Sequence, residues 1–99
     1  MDSATTRFTD RMGLIFEAEG QPPISGRIFG CLLVSDDPRS LDQLADALSV
    51  SKASVSTNAR RLAELGMLER VCRPADRHDY YRVAPDLFSR RLLELITDG

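Results

Sequence analysis

The sequence predicts a mainly α fold of class α+β, several helices with one small β-ribbon, and three observations carry the prediction. Apolar residues recur at helical spacing through five segments. Two of these segments are separated by only about three residues, at the short end of helix connections. After Gly66 the pattern changes to partial alternation around a Pro-Asp turn, with Tyr and Val that favour strand. A chain of 99 residues suits one domain with a single core and predicts no second one.

From Phe8, the residues Phe8, Met12, Ile15 and Phe16 follow i, i+4, i+7, i+8, which predicts an amphipathic helix over about 5–19 with that face inward. Leu14 and Ala18 fall on its other side. Gly20-Gln21-Pro22-Pro23 breaks the chain, and Ile24, Ile28, Cys31 and Leu32, widened by Phe29, Leu33 and Val34, predict a central helix over about 24–35. Gly26 and Gly30 leave room for a neighbouring helix, and Arg27 is expected to pair with Glu17 or Glu19 or to contact a nucleic acid. The segment Ser35-Asp36-Asp37-Pro38-Arg39 reads as a break.

Ser40-Leu41-Asp42-Gln43 has the form of a capping box, so a helix is expected over about 41–48, burying Leu41, Leu44, Ala45 and Leu48. Ser51 can cap the next helix, expected over about 52–65 with Val55, Ala59 and Leu62 inward and Gly66 at its left-handed end. Helices joined so tightly must cross steeply. Met67 to Arg73 and Tyr80 to Val83 then predict a hairpin over about 68–83, and Pro85-Asp86 opens a last helix over about 86–97 with Phe88, Leu92, Leu95 and Ile96 on one face. Leu87 and Leu93 point elsewhere.

Composition narrows the function. The longest apolar run, Ile28 to Val34, is far below the ~18 residues that span a bilayer, and no basic-then-apolar leader opens the chain, so no membrane partner and a cytoplasmic location are expected. Cys31 and Cys72 each lie in an apolar segment and are expected to be buried, inert thiols. With one His in the chain, they cannot complete a structural zinc site, so no metal and no cofactor are expected. His78 stands alone in a polar turn without a catalytic partner, and the reading is non-enzymatic.

A helix, a tight turn, a second helix and a two-stranded ribbon, in that order, is the layout of a winged helix-turn-helix, flanked here by N- and C-terminal dimerisation helices. Ala45 is the small residue that lets the two helices touch, Ser49 stands at the turn where Gly is common, and Val55 faces the first helix. The net charge of −2 argues against a polyanion partner only as an average. Residues 52–82 carry Lys52, Arg60, Arg61, Arg70, Arg73, Arg77 and Arg82 against Glu64, Glu69, Asp76 and Asp79, a net of +3. Residues 1–51 have a net of −4 and residues 83–99 a net of −1. The positive field is local to the second helix and hairpin, the elements a winged helix sets against duplex DNA.

On the second helix, Ala53, Ser54, Ser56, Thr57, Arg60 and Arg61 lie opposite the core stripe. Hydroxyls and guanidinium groups suit base edges, so Ser54, Ser56, Thr57 and Arg61 are the expected base readers in the major groove. Arg60 belongs to the same face, and Ser51, Lys52 and the free amides at this helix's start suit a phosphate. In the hairpin, Arg77 at the tip of wing 74–79 suits a narrow minor groove, Asp76 orients the turn, and Arg73 and Arg82 reach phosphates. Tyr80 and Tyr81 are expected to pack. Leu14, Ala18, Leu87 and Leu93 exceed what one small core buries and predict a homodimer, whose two-fold axis would match a palindromic operator. The competing reading is a winged helix used as a protein–protein interaction module.

Pro23-Ile24-Ser25-Gly26-Arg27-Ile28, Ser40-Leu41-Asp42-Gln43-Leu44-Ala45, Ser51-Lys52-Ala53-Ser54-Val55-Ser56-Thr57 and Arg60-Arg61-Leu62 through Leu65-Gly66-Met67-Leu68-Glu69-Arg70 resemble the MarR superfamily, and within it the GbsR-type transcriptional regulators. The similarity runs from about Phe8 to Val83, is most specific at Ser51–Thr57, and extends to the Asp76-Arg77 pair of the wing. It implies a prokaryotic, dimeric, DNA-binding regulator or repressor whose operator affinity responds to a small-molecule effector. Such regulators generally continue into a longer helical region, whereas this sequence ends at Gly99, so little chain is expected for a separate sensor.

Overall fold

The structure, a computed structural model, describes residues 2–85. Along them run α1 (Ser3–Ala18), α2 (Pro23–Leu33), β1 (Arg39–Ser40), α3 (Leu41–Leu48), α4 (Lys52–Glu64), β2 (Leu68–Val71) and β3 (Tyr80–Val83). The helix expected over about 86–97, with Leu87 and Leu93, lies outside the described residues. Helix–turn–helix and antiparallel wing together make a winged helix.

The central helix is α2. It buries Ser25, Gly26, Ile28, Phe29, Gly30, Cys31 and Leu32, and around it close Leu44 and Leu48 of α3, Val55, Ala59 and Leu62 of α4, and Leu68 and Tyr81 of the sheet. Against its other side lies α1, opened by Asp2, whose carboxylate accepts from the Thr5 amide at 2.7 Å. The inward line of α1 differs from the one its hydrophobicity predicts. Ile15 is 49% exposed and Phe8 36%, whereas Thr9 and Gly13 are buried, with Met12 and Phe16 packed beside them. A Cβ on Gly26 would overlap the Met12 carbonyl and stand 2.9 Å from the Gly13 Cα. Helices that touch backbone to backbone place their smallest residues on the contact line and displace the large apolar ones to its flanks.

Three helices end in the same way. The Gly20 and Gln21 amides bond back to Glu17 and Phe16, those of Ser49 and Val50 to Asp46 and Ala45, and those of Gly66 and Met67 to Ala63 and Leu62. This Schellman arrangement satisfies orphan carbonyls and needs a left-handed residue. Gly20 and Gly66 fit it freely, while Ser49 adopts it at φ 56° without being glycine. Both halves of the Ser40/Gln43 capping box are formed, and Ser51 accepts the Ser54 amide at 3.1 Å to start α4.

The sheet has three strands, in order β1-β3-β2, where two were expected. Glu69 faces Arg82 and Arg70 faces Tyr81 across the wing, while Arg39 and Ser40 pair with Tyr81 and Tyr80 on the other edge of β3. The segment read as a plain break therefore straightens at its end. The extended backbone that Ser40 needs as an N-cap, ψ 165°, is also that of a strand, and β3 offers it an open edge.

Candidate nucleic-acid interface

The exposed side of α4 presents Lys52, Ala53, Thr57, Arg60 and Arg61, while Ser54 and Ser56 are half-buried at its margins. The helix is held from beneath by a pair of polar contacts that periodicity does not reveal. Asn58 accepts from the buried Ser25 hydroxyl of α2 at 2.9 Å and donates to the Ser54 carbonyl at 2.8 Å. At its far end, Arg61 donates to Gln21 of the α1–α2 turn at 2.6 Å. Arg61, expected as a base reader, is thereby tied to the turn between α1 and α2. The legible signal was Asn58 itself, a polar residue interrupting the stripe of Val55, Ala59 and Leu62.

Much of the positive charge has local partners. Lys52 stands 3.3 Å from Asp42, Arg82 3.3 Å from Glu69, and Arg70 3.9 Å from Asp79. These are exposed pairs, each worth about 1 kcal/mol or less and weakened by salt, so they yield readily to a phosphate. The Arg73 guanidinium lies 4.4 Å from the centre of the Tyr80 ring. Among the described residues, Arg60 and Arg77 of this region are exposed and make no ion pair, and the same holds for Arg7, Arg11 and Arg39 outside it.

At the tip of the wing, Asp76 accepts from the His78 amide at 2.9 Å and the Tyr80 hydroxyl at 2.7 Å, and its Oδ1 lies 2.7 Å from His78 Nδ1. The His78 backbone N–H first, then the Tyr80 hydroxyl, then the His78 ring hold its carboxyl down at about 2. The same contact raises the Tyr80 hydroxyl. Ala75 beside it has φ 64°, a left-handed residue that turns the chain. A fixed carboxylate thus folds the tip back on itself and leaves the adjacent Arg77 projecting. His78, read from sequence as a lone turn residue, is part of this brace.

Two expectations need correction. Arg27 meets neither Glu17 nor Glu19: its Nε is 3.7 Å from Asp10 and its Nη2 donates to the Leu48 carbonyl at 2.9 Å. It sits on the turn of α2 beneath Gly13, where Asp10, one turn earlier on α1, is the acid in reach. Cys72 is exposed rather than buried, because it follows the last residue of β2 as the wing leaves the core. Cys31 is buried, and burial raises its thiol above the usual range. Among the described residues, no cluster of three or more His, Cys, Asp or Glu can hold a metal. None of their helices is long and apolar enough to cross a membrane.

A profile of the MarR family matches residues 21–78, from the α1–α2 turn to the wing tip. The chain belongs to the MarR family. This MarR-family chain is 41% identical over 83 residues to the HTH-type transcriptional regulator MmpR5 of Mycobacterium tuberculosis, a match covering 83% of the chain and 50% of that protein. The crystal structure of a transcriptional regulator superposes with a TM-score of 0.82 at 36% identity, over 93% of the chain and 68% of its own. A point mutant of S. aureus MepR bound to an oligodeoxyribonucleotide shares the fold, with a TM-score of 0.63 at 17% identity over 97% of this chain and 76% of that one. The chain spans about half the length of the curated relatives it matches.

Proposed function

We propose that this MarR-family chain is a sequence-specific, double-stranded-DNA-binding transcriptional regulator of the GbsR type, a cytoplasmic, non-enzymatic repressor that binds a palindromic operator as a homodimer. The observation that carries the reading is the concentration of positive charge on the two projecting elements, a net of +3 over residues 52–82 with Arg60 on α4 and Arg77 on the wing exposed and free of ion pairs, against a net of −4 over residues 1–51. The relatives named as transcriptional regulators support it, as does the nucleic acid bound to the MepR fold. The Ser51–Thr57 motif supports the GbsR assignment.

In this reading α4 enters the major groove. Ser54, Ser56, Thr57 and Arg61 read base edges, with Arg61 leaving Gln21 to do so, and Arg60, Lys52 and the capped start at Ser51 meet phosphates. The Asp76 brace holds the wing 74–79 so that Arg77 reaches the minor groove, and Arg73 and Arg82 flank it on the backbone. Leu14, 66% exposed, and the exposed Ala18 supply the α1 part of the dimer contact. A small-molecule effector belongs to the proposal through the resemblance. A surface cavity of about 380 Å³ lined by Cys31, Leu44, Ser35, Arg39 and Gln43 has the mixed polar and apolar lining such a ligand needs.

The pairing of Lys52, Arg70 and Arg82 with carboxylates favours a second reading, a protein-interaction module. Fluorescence polarisation with a duplex from the region upstream of the chain's own coding sequence, across a salt series, separates the two. Binding that weakens steeply with salt, with Arg77→Ala lowering the log–log slope by about one, supports the DNA reading. No binding at low salt, or unchanged affinity in both Arg61→Ala and Arg77→Ala, overturns it.

A further inference from the structure

Arg27 joins three helices. Its Nη2 donates to the carbonyl of Leu48, the last residue of α3, at 2.9 Å, and its Nε faces Asp10 of α1 at 3.7 Å. The last turn of α3 contains no basic residue of its own, so the orphan carbonyl and the negative end of the helix are met by a cation reaching across from α2. Leu48 directly precedes Ser49, the left-handed turn residue, and three residues further on α4 begins. The position of Leu48 therefore fixes where the proposed recognition helix starts.

On the other side the contact is incomplete. Among the described residues, the Arg27 Nε is the buried side-chain polar atom with no hydrogen-bond partner. Its separation from Asp10 exceeds the ~2.7–3.2 Å of an N–H···O bond by less than an ångström. Motion of α1 that carries Asp10 toward or away from this Nε acts on the same rigid guanidinium that holds Leu48. The aliphatic stem has little freedom to absorb such a shift, because it packs directly over Gly13: a Cβ there would meet the Arg27 Cγ at 3.0 Å. A second strut, from Ser25 of α2 to Asn58 of α4, anchors the middle of α4, so motion transmitted through Leu48 changes the start of the helix relative to that anchor.

We propose that Arg27 is a positioning residue that couples the placement of α1 to the turn and the first residues of α4, and through them to DNA affinity. The last step rests on the DNA-binding reading above; the coupling itself does not. Two readouts keep them apart: hydrogen exchange across residues 49–57, and polarisation binding to the upstream duplex. Arg27→Met keeps the stem and removes both polar contacts. It is expected to speed exchange at 49–57 and to weaken binding about tenfold, within the usual range of coupling between sites. Asp10→Asn changes an exposed side chain on another helix and keeps α1 folded. It is expected to alter exchange at 49–57 and shift affinity about threefold, and to have no added effect on top of Arg27→Met, the non-additivity of groups acting as one unit. Arg27→Lys, with a charge but no second arm, is expected to make binding insensitive to Asp10→Asn. If Asp10→Asn leaves exchange at 49–57 unchanged, or its effect adds in full to that of Arg27→Met, the coupling is overturned. A wild-type chain that binds no duplex overturns the DNA reading, and the exchange result alone then decides the coupling.

Discussion

Asp76 shows how one side chain sets the form of a wing. Its three contacts all favour the carboxylate over the acid, which holds its pKa at about 2 against an ordinary 3.8. A group depressed in the folded state contributes fully above its ordinary value and loses that contribution as pH falls through the folded one. The tip is therefore expected to stay braced through pH 3.8 and to open as pH approaches about 2. A carboxyl titration followed by NMR should give a midpoint near 2, moved upward by Tyr80→Phe; a midpoint at 3.8 would show that the contacts are absent in solution. Sequence placed Asp76 in the turn and gave it an orienting role because a carboxylate beside phosphates is repelled. It did not reveal His78 and Tyr80 as its partners, since donors are chosen by how the chain doubles back at Ala75, not by their spacing.

At the scale of elements, local chemistry was the most legible part. The capping box at Ser40, the cap at Ser51, the turn at Ser49 and the left-handed end at Gly66 all act within about five residues, so the sequence itself contains both partners; that Ser49 is itself left-handed came from the structure. The facing of α1 was not legible, because a hydrophobic stripe marks what can be buried and not which line makes the closest contact. That line is set by Gly26. Gly26→Ala drives a methyl into the backbone of α1 at Met12 and Gly13, and is expected to destabilise the fold by about 3 kcal/mol in urea unfolding. Gly30→Ala meets the flexible Met12 side chain at 3.0 Å, which can move, and backbone only at the Thr9 Cα, 3.3 Å away, and should cost clearly less. Equal losses for the two would refute the backbone-contact account. The missed strand β1 has a similar origin: two residues carry no strand periodicity, and only the edge of β3 makes Arg39 and Ser40 a strand.

Across the whole molecule, the outer side of α1 stands out by its exposed apolar side chains. Leu14, Ile15 and, at the end of α4, Leu65 are all about half exposed or more, and a groove lined by Ile15, Phe16, Leu62, Leu65 and Met67 runs beside them. The proposed homodimer places a second copy against this side, so Leu14→Glu should convert a dimer to a monomer in sedimentation equilibrium without lowering the helix content. A wild-type monomer, or a Leu14→Glu dimer of unchanged affinity, would remove α1 from the interface. Residues near one another in the chain were enough to set the four helices α1–α4 and the wing hairpin, the caps, the inward faces of α3 and α4, and the segregation of positive charge onto α4 and the wing. Tertiary structure alone decided which cations stay free, which face of α1 is closed, and how Arg27 and Asn58 tie α2 to the helix-turn-helix. The Arg27–Leu48 and Ser25–Asn58 contacts join residues 21 and 33 positions apart, and their geometry exists only once α2 is packed at the centre.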